Sequence, residues 1–210
     1  MINHNVEITV MEVRTFLSGI AAPRILEVGA HDGESTEKFF TEIANCSVVA
    51  YEPDPRPAAR FIQRVGSHPR LVFRQVAVGA EVGSVNWYAS HGKVPGHGDD
   101  WDYSSSIRRP TEHLNRSREI SFSVDQSVPC VRLDDEGFDG FDFAWIDAQG
   151  AQRDVIMGGR RTLDATTYIY IELHDTPLYD GEPTFDELHA LLHNHMAVHK
   201  YGENVLFKKA

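Results

Sequence analysis

Short apolar segments alternate along this chain with segments of helical periodicity. Four segments are apolar almost without interruption: RILEVG, SVVAYEP, FDFAWID and TYIYIEL. Strands of this kind are buried on both faces, as happens when helices cover both sides of a parallel sheet. The segments between them carry apolar residues at helical spacing, as in TEKFFTEIAN. We therefore expect an α/β fold with a doubly wound, mostly parallel sheet.

The middle and the end of the chain follow a different pattern. RLVFRQVAVG predicts a third strand of the sheet, whereas GSVNWYAS and ISFSVDQSVPCVRLDD predict strands outside the parallel alternation. The stretch between these two has no periodicity and is rich in Gly and Ser, so residues 91–118 are predicted to form a lid or acceptor loop. MAVHKY and NVLFKKA flank GEN, which predicts a hairpin at an antiparallel edge.

Length and charge limit the classes of protein to consider. The 210 residues predict one domain over 1–210, beginning with a helical segment at 1–22. The formal net charge of −11 argues against binding to nucleic acid or to an anionic membrane. No apolar run approaches the roughly 20 residues that span a bilayer. The N-terminal segment has no signal-peptide pattern, and Cys46 and Cys130 stand far apart, so a cytoplasmic location is expected.

The first apolar strand ends in an unusual turn, RILEVGAHDGEST. Ligands of open parallel sheets bind beyond the carboxyl ends of the strands. Gly29 and Gly33 would allow the backbone to pass close to such a ligand. The spacing is neither G-x-G-x-x-G nor that of a phosphate loop ending in G-K-[ST], which disfavours a dinucleotide-dependent oxidoreductase and a nucleoside triphosphatase.

Two acidic residues accompany this turn. Glu52 follows the second strand, roughly 20 residues after the turn, where a carboxylate accepts the hydroxyl groups of a ribose. Glu27 belongs to the first strand. Together they suit a ligand with an amine and a ribose, such as S-adenosylmethionine. The alternative is a turn that only packs helix on strand, with Glu52 in solvent.

Several longer segments resemble one enzyme family. They are ILEVGAHDGEST, VVAYEPDP, RQVAVGAEVGSV, YSSSI, VPCVRLDD, FAWIDAQGAQRDVIMGG and YIYIELHDTPLYDGEPTFDELHALL. In this order they resemble the FkbM-like S-adenosylmethionine-dependent O-methyltransferases, from about Arg24 to the C-terminus. The resemblance implies a class I methyltransferase (Rossmann-like) fold, with a seven-stranded sheet and an antiparallel C-terminal strand. It also implies methyl transfer to a hydroxyl group of a sugar or another small natural product.

The resemblance also implies which residues hold the cofactor. Gly29, Ala30, His31 and Gly33 would surround its methionine part, Glu52 its ribose, Gln75 and Ala77 its adenine, and Ser105 would belong to a loop folded over it. His31 and Gln152 differ from the residues common in the family. A non-catalytic relative that binds the nucleoside without transferring the methyl group is therefore the alternative function.

Polar residues after the fourth and fifth parallel strands are the candidates for the chemistry. Asp147 and Glu172 form a candidate Mg²⁺ site, and an ion there would lower the pKa of an acceptor hydroxyl. Asp147 alternatively accepts the cofactor amine. His174 is the preferred general base, since imidazole titrates near neutral pH, and the alternative is a surface histidine. The expected partner is a small-molecule acceptor, and a homodimer formed through the first helix is left open.

Overall fold

A computed structural model describes residues 7–96 and 100–210. The strands are β1 (Arg24–Val28), β2 (Ser47–Tyr51), β3 (Leu71–Arg74), β4 (Ala77–Val78), β5 (Gly83–Gly92), β6 (Ile120–Val131), β7 (Phe143–Ile146), β8 (Tyr168–Glu172), β9 (His195–Tyr201) and β10 (Asn204–Lys209). The helices are α1 (Val10–Phe16), α2 (Glu34–Glu42), α3 (Pro55–Val65), α4 (His113–Arg116), α5 (Gln152–Gly158), α6 (Arg160–Asp164) and α7 (Phe185–Leu191).

Seven strands form the main sheet in the order β3-β2-β1-β7-β8-β10-β9. β3, β2, β1, β7 and β8 pair in parallel, and β10 is antiparallel to both β8 and β9. The predicted sheet and its antiparallel C-terminal strand are thus confirmed. β10 is not the edge strand of the sheet, however. It lies between β8 and β9, and β9 forms the edge.

Helices cover both faces of this sheet, as the uninterrupted apolar strands predict. On β1, Leu26 and Val28 belong to the core beneath α5, α6 and α7, whereas Ile25 belongs to the core beneath α1, α2 and α3. The alternation follows from the strand geometry, which points successive side chains to opposite faces. Local signals begin the helices: Asp54 accepts a hydrogen bond from the Arg56 main-chain nitrogen (2.9 Å) at the start of α3.

The prediction of a single third strand over RLVFRQVAVG is wrong. β3 ends at Arg74. The carbonyl oxygen of Arg74 accepts a hydrogen bond from the main-chain nitrogen of Glu52 (3.1 Å), the residue that follows β2. The chain then leaves the main sheet, and β4 pairs in parallel with β6 in a second sheet of order β4-β6-β5. β6 and β5 form the long antiparallel pair of that sheet. Apolar content alone did not indicate this change of sheet.

Two predicted segments extend partly outside the described residues. Residues 1–6 of the helical segment 1–22 and residues 97–99 of the loop 91–118 lie there, and the helix α1 begins at Val10. The predicted loop is also shorter, because β5 extends to Gly92 and α4 begins at His113. Within the described ranges, no helix has the length and apolar content that crossing a membrane requires.

Candidate functional site

A cavity lies at the carboxyl ends of β1, β2 and β7, where the strand order reverses. Its apolar wall includes Val76, Ala77, Val78 and Trp87. Its polar groups come from the strand ends and from the loop after β5: Glu52, Asp102, Ser105, Asp147 and Gln149. Both kinds of group in one cleft are typical of small-molecule and cofactor sites.

Gly29 allows β1 and β7 to end close together. Its φ is +84°, and a Cβ atom there would lie 1.9 Å from the carbonyl oxygen of Asp147. The main-chain nitrogen of Asp147 donates to Val28 (2.9 Å) at the same point. Gly33 has a different role, because a Cβ atom there would meet Phe61 and Val65 of α3. Of these two predicted residues, Gly29 lines the cavity and Gly33 packs α2 against α3.

Glu52 lies at the cavity with both carboxylate oxygens occupied. Oε2 accepts from the main-chain nitrogen of His31 (2.9 Å) and Oε1 from that of Asp54 (2.7 Å). The side chain is buried, and burial raises its pKa to about 8 despite these two bonds. A ribose hydroxyl beside it would meet a fixed carboxyl group.

Glu27 points away from the cavity. It lies on the face of β1 that carries Ile25, and the hydroxyl of Thr36 in α2 donates to it. Glu27 does not line the cavity. Burial raises its pKa to about 8, since the hydrogen bond from Thr36 offsets only part of the desolvation.

Replacing Glu27 with glutamine should reduce the loss of stability at alkaline pH. The unfolded chain releases this proton near pH 4.5 and the folded protein near pH 8, so the stabilisation falls as the pH rises between these values. The change in the free energy of unfolding caused by Glu27→Gln should therefore be more favourable at pH 8 than at pH 5.5, by about 3 kcal/mol. Urea unfolding at both pH values measures this. Glu42→Gln, an exposed change at the end of α2, is the control, and an equal response of both variants would contradict the prediction.

The loop after β5 is joined to α3 by ion pairs. Asp102 lies 2.8 Å from Nε2 of His31 and accepts from Arg60 (2.7 Å). Burial alone would raise the pKa of Asp102, but His31 and Arg60 outweigh it and lower the value to about 2. The ring of Tyr103 packs on His31, with 4.0 Å between centroids. His31 therefore connects the turn after β1 to the loop over the cavity, with a φ of +48°.

The remaining predicted cofactor residues separate into two groups. Ala77 and Ser105 line the cavity, and the Ser105 hydroxyl accepts from the main-chain nitrogen of Ser90 (3.0 Å). Ala30 is buried in the core beneath α2, and Gln75 is exposed where β3 leaves the sheet. Neither lines the cavity.

Asp147, Glu172 and His174 come together beside the cavity. Gln149 donates through Nε2 to Oδ1 of Asp147 (2.8 Å) and to Oε2 of Glu172 (3.0 Å). His174 Nε2 lies 3.6 Å from Oε1 of Glu172, and its Nδ1 lies 2.6 Å from Oε1 of Glu182. Burial and the neighbouring Asp147 carboxylate raise the pKa of Glu172 well above its ordinary range. His174 is buried, so the surface alternative does not describe it.

These residues do not fit the predicted Mg²⁺ site. The nitrogen of the Gln149 amide is the group within hydrogen-bonding distance of both carboxylates, and a nitrogen that carries hydrogens is not a ligand of Mg²⁺. In residues 7–96 and 100–210, no group of three or more His, Cys, Asp or Glu side chains is placed to hold a metal ion.

Three contributors to this site were not predicted in these roles: Gln149, Tyr179 and Glu182. Glu182 accepts from the main-chain nitrogens of Leu178 (2.7 Å) and Tyr179 (3.1 Å), which fixes the loop after β8. No spacing in the sequence relates Glu182 to His174. Gln152, the second departure from the family pattern, is fully buried in α5, and no described residue hydrogen-bonds its amide.

Comparison with known proteins places the chain in a family. The methyltransferase FkbM domain matches residues 27–202. The chain belongs to the FkbM methyltransferase family. It is similar to the 2-O-methyltransferase NoeI of Sinorhizobium fredii (strain NBRC 101917 / NGR234), with 37% identity over 164 residues, which are 76% of this chain and 67% of NoeI. This FkbM methyltransferase is an S-adenosylmethionine-dependent O-methyltransferase with a small-molecule acceptor, and these matches give no support to the non-catalytic alternative.

Solved structures agree on the fold. The N-methyltransferase NodS of Bradyrhizobium japonicum WM9 has a TM-score of 0.51 at 12% identity, covering 95% of this chain and 93% of NodS. The magnesium protoporphyrin IX methyltransferase ChlM of Synechocystis PCC 6803 has a TM-score of 0.50 at 6% identity, covering 94% of this chain and 74% of ChlM. The class I methyltransferase fold implied by the resemblance is thereby confirmed for this FkbM methyltransferase.

Proposed function

We propose that this FkbM methyltransferase transfers the methyl group to a hydroxyl of a sugar or of a related small natural product, with His174 as general base. The observation that carries the proposal is the contact between His174 Nδ1 and Glu182 (2.6 Å). A carboxylate at Nδ1 keeps the proton on that nitrogen and leaves Nε2 as the acceptor. The name of NoeI, a 2-O-methyltransferase, supports an oxygen acceptor.

The residues of the chain divide the remaining work by position. S-adenosylmethionine supplies an electrophilic methyl group when bound, so the protein contributes mainly orientation and a base. Glu52 holds the ribose, Ala77 and Ser105 border the adenine, and Asp147 faces the methionine part. His174 Nε2 would then take the proton of the acceptor hydroxyl as its oxygen bonds to the methyl carbon, and S-adenosylhomocysteine would be the leaving group. Mg²⁺ has no part in this proposal, because Gln149 already bridges Asp147 and Glu172.

The wider predictions belong to the same proposal. Residues 1–210 act as one methyltransferase domain, and the loop within 91–118 covers the bound cofactor. The cavity contacts of Tyr103 and Ser105 support the role of the loop. A cytoplasmic location, no association with nucleic acid or membrane, and dimerisation through α1 remain predictions, of which the last is measurable by light scattering.

Thermal unfolding with S-adenosylhomocysteine tests the cofactor site. At about 100 times its dissociation constant, a ligand adds roughly 2.7 kcal/mol, a rise of roughly 5–10 °C in Tm for a chain of this size. NAD and AMP should give smaller shifts. Glu52→Gln should abolish most of the shift with S-adenosylhomocysteine, because the amide offers Asp54 and His31 only one acceptor oxygen. Equal shifts with NAD, or an unchanged shift in the variant, would count against the site.

Methyl transfer to a set of monosaccharides and oligosaccharides tests the acceptor class. We expect transfer to the intact sugars and none to the matched deoxy sugar that lacks the accepting hydroxyl. Products are located by mass spectrometry. Transfer only to an amine in a mixed panel would overturn the proposal of a hydroxyl acceptor.

A further inference from the structure

Gln149 holds an unusual position between the cofactor cavity and the proposed base. It follows β7 by three residues, lines the cavity, and has a φ of +46°. A residue other than glycine in the left-handed region is strained and persists only where its surroundings hold it. The Ser106 hydroxyl, from the loop after β5, donates to the Gln149 carbonyl oxygen (2.6 Å), which helps to hold this conformation.

The side chain of Gln149 is held at both ends. The Tyr179 hydroxyl has one hydrogen for two acceptors, Oε1 of Gln149 (3.0 Å) and the carbonyl oxygen of Ser104 (2.8 Å). Nε2 lies 2.8 Å from Asp147 and 3.0 Å from Glu172. An amide nitrogen has two hydrogens to donate, one for each carboxyl group, whereas the reversed amide would place its oxygen against both of them. The observed orientation therefore gives each carboxyl group a donor.

We propose that the Gln149 amide takes the place of a metal ion between Asp147 and Glu172 and so makes methyl transfer metal-independent. Two carboxyl groups side by side repel one another when both are ionised, unless a cation or hydrogen-bond donors lie between them. Here the donors are the two N–H bonds of one amide. Because Glu172 Oε1 lies 3.6 Å from His174 Nε2, the bridge also keeps Glu172 beside the base. Gln149 is thus a positioning residue that acts through its two carboxylate neighbours.

The same residue links the loop to the carboxylates. The Ser104 carbonyl oxygen accepts from the Tyr179 hydroxyl, and the Ser106 hydroxyl donates to the Gln149 carbonyl oxygen. The loop cannot leave the cavity without breaking these two hydrogen bonds. The loop after β5 therefore helps to hold the amide that bridges the two carboxyl groups.

This inference rests on the proposed function for its kinetic consequence, but binding of metal tests it separately. Gln149→Glu exchanges the donors for a third carboxylate in the same volume. Three oxygen ligands from Asp147, Glu172 and the substituted side chain suit a divalent cation. Isothermal titration with Mn²⁺ should show no binding to the wild-type protein and about one ion bound to the variant with a dissociation constant below roughly 100 µM.

Activity gives the second readout. Wild-type methyl transfer should change less than about twofold between EDTA and Mg²⁺, whereas Gln149→Glu should lose at least about tenfold in EDTA and recover several-fold with Mg²⁺. Gln63→Glu, an exposed change of the same charge on α3, should behave as wild type.

Gln149→Asn is the second variant, because asparagine favours positive φ but its side chain is one methylene shorter than that of glutamine. It should fold normally and still lose about tenfold in kcat.

The inference is overturned if wild-type protein binds one Mn²⁺ and loses activity in EDTA. Full activity of Gln149→Asn would overturn it as well, since the bridge would then be dispensable. So would a folded Gln149→Glu that neither binds Mn²⁺ nor loses activity. If the wild-type protein binds S-adenosylhomocysteine but transfers no methyl group to any hydroxyl, the proposed acceptor fails, while the Mn²⁺ titration still decides whether the amide occupies a potential metal position.

Discussion

Replacing His174 with alanine should lower kcat for methyl transfer by about 10²–10⁴-fold, the usual contribution of a general base to a proton transfer. The imidazole is held through Nδ1 by Glu182, and it is Nε2 that would receive the proton. His174 is not among the residues that line the cavity, so the dissociation constant of S-adenosylhomocysteine should change less than about threefold. Single-turnover transfer and calorimetric binding measure the two quantities.

His193→Ala is the matched control for this variant. His193 is exposed between α7 and β9, at the end of the sheet opposite the carboxyl ends of the parallel strands, so kcat should be unchanged. Raising the pH should partly restore the activity of His174→Ala, because hydroxide and an ionised acceptor replace the missing base. A loss below about fivefold, or a loss of cofactor binding equal to the loss of kcat, would contradict a role in proton transfer.

Replacing Gly29 with alanine should destabilise the protein by more than about 3 kcal/mol. The added Cβ would lie 1.9 Å from the Asp147 carbonyl oxygen, so the ends of β1 and β7 would have to separate. Because that movement displaces Asp147, binding of S-adenosylhomocysteine should weaken as well. Urea unfolding and thermal shift measure the two effects.

Gly19→Ala separates the steric clash from the backbone strain. Gly19 also has a positive φ, +103°, but a Cβ there meets no atom within 4 Å. It should therefore cost only the strain of the left-handed conformation, about 1 kcal/mol. Equal losses for the two variants would show that the approach of β1 to β7 tolerates a side chain.

The sequence predicted the fold through the burial of its strands. Apolar runs such as SVVAY and YIYIE have few other ways to be buried, so their place in a parallel sheet follows from their composition. The departure of the chain from the main sheet after Arg74 was not predictable in this way. The segment stays apolar through Val78 whichever sheet it joins, and its partner in β6 is some fifty residues away.

The site was predicted where it depends on strand ends. Glu52, Asp147 and Glu172 each end or follow a parallel strand, and the carboxyl ends of such strands meet at one edge. Glu27 lies one residue before the end of its strand, and the alternation of faces turns it away. Glu182 contacts His174 only because the loop after β8 folds back, and no local pattern encodes that closure.

The insertion of β10 between β8 and β9 has a consequence for how the molecule forms. During synthesis, β8 leaves the ribosome before its neighbour β10, because β9 lies between them in the chain. Until residues 204–209 emerge, β8 lacks the strand that covers its outer edge, and β9 lacks the strand through which it joins the sheet. Chains stalled or cleaved before Asn204 would leave that edge of β8 open to pairing with a strand of another chain.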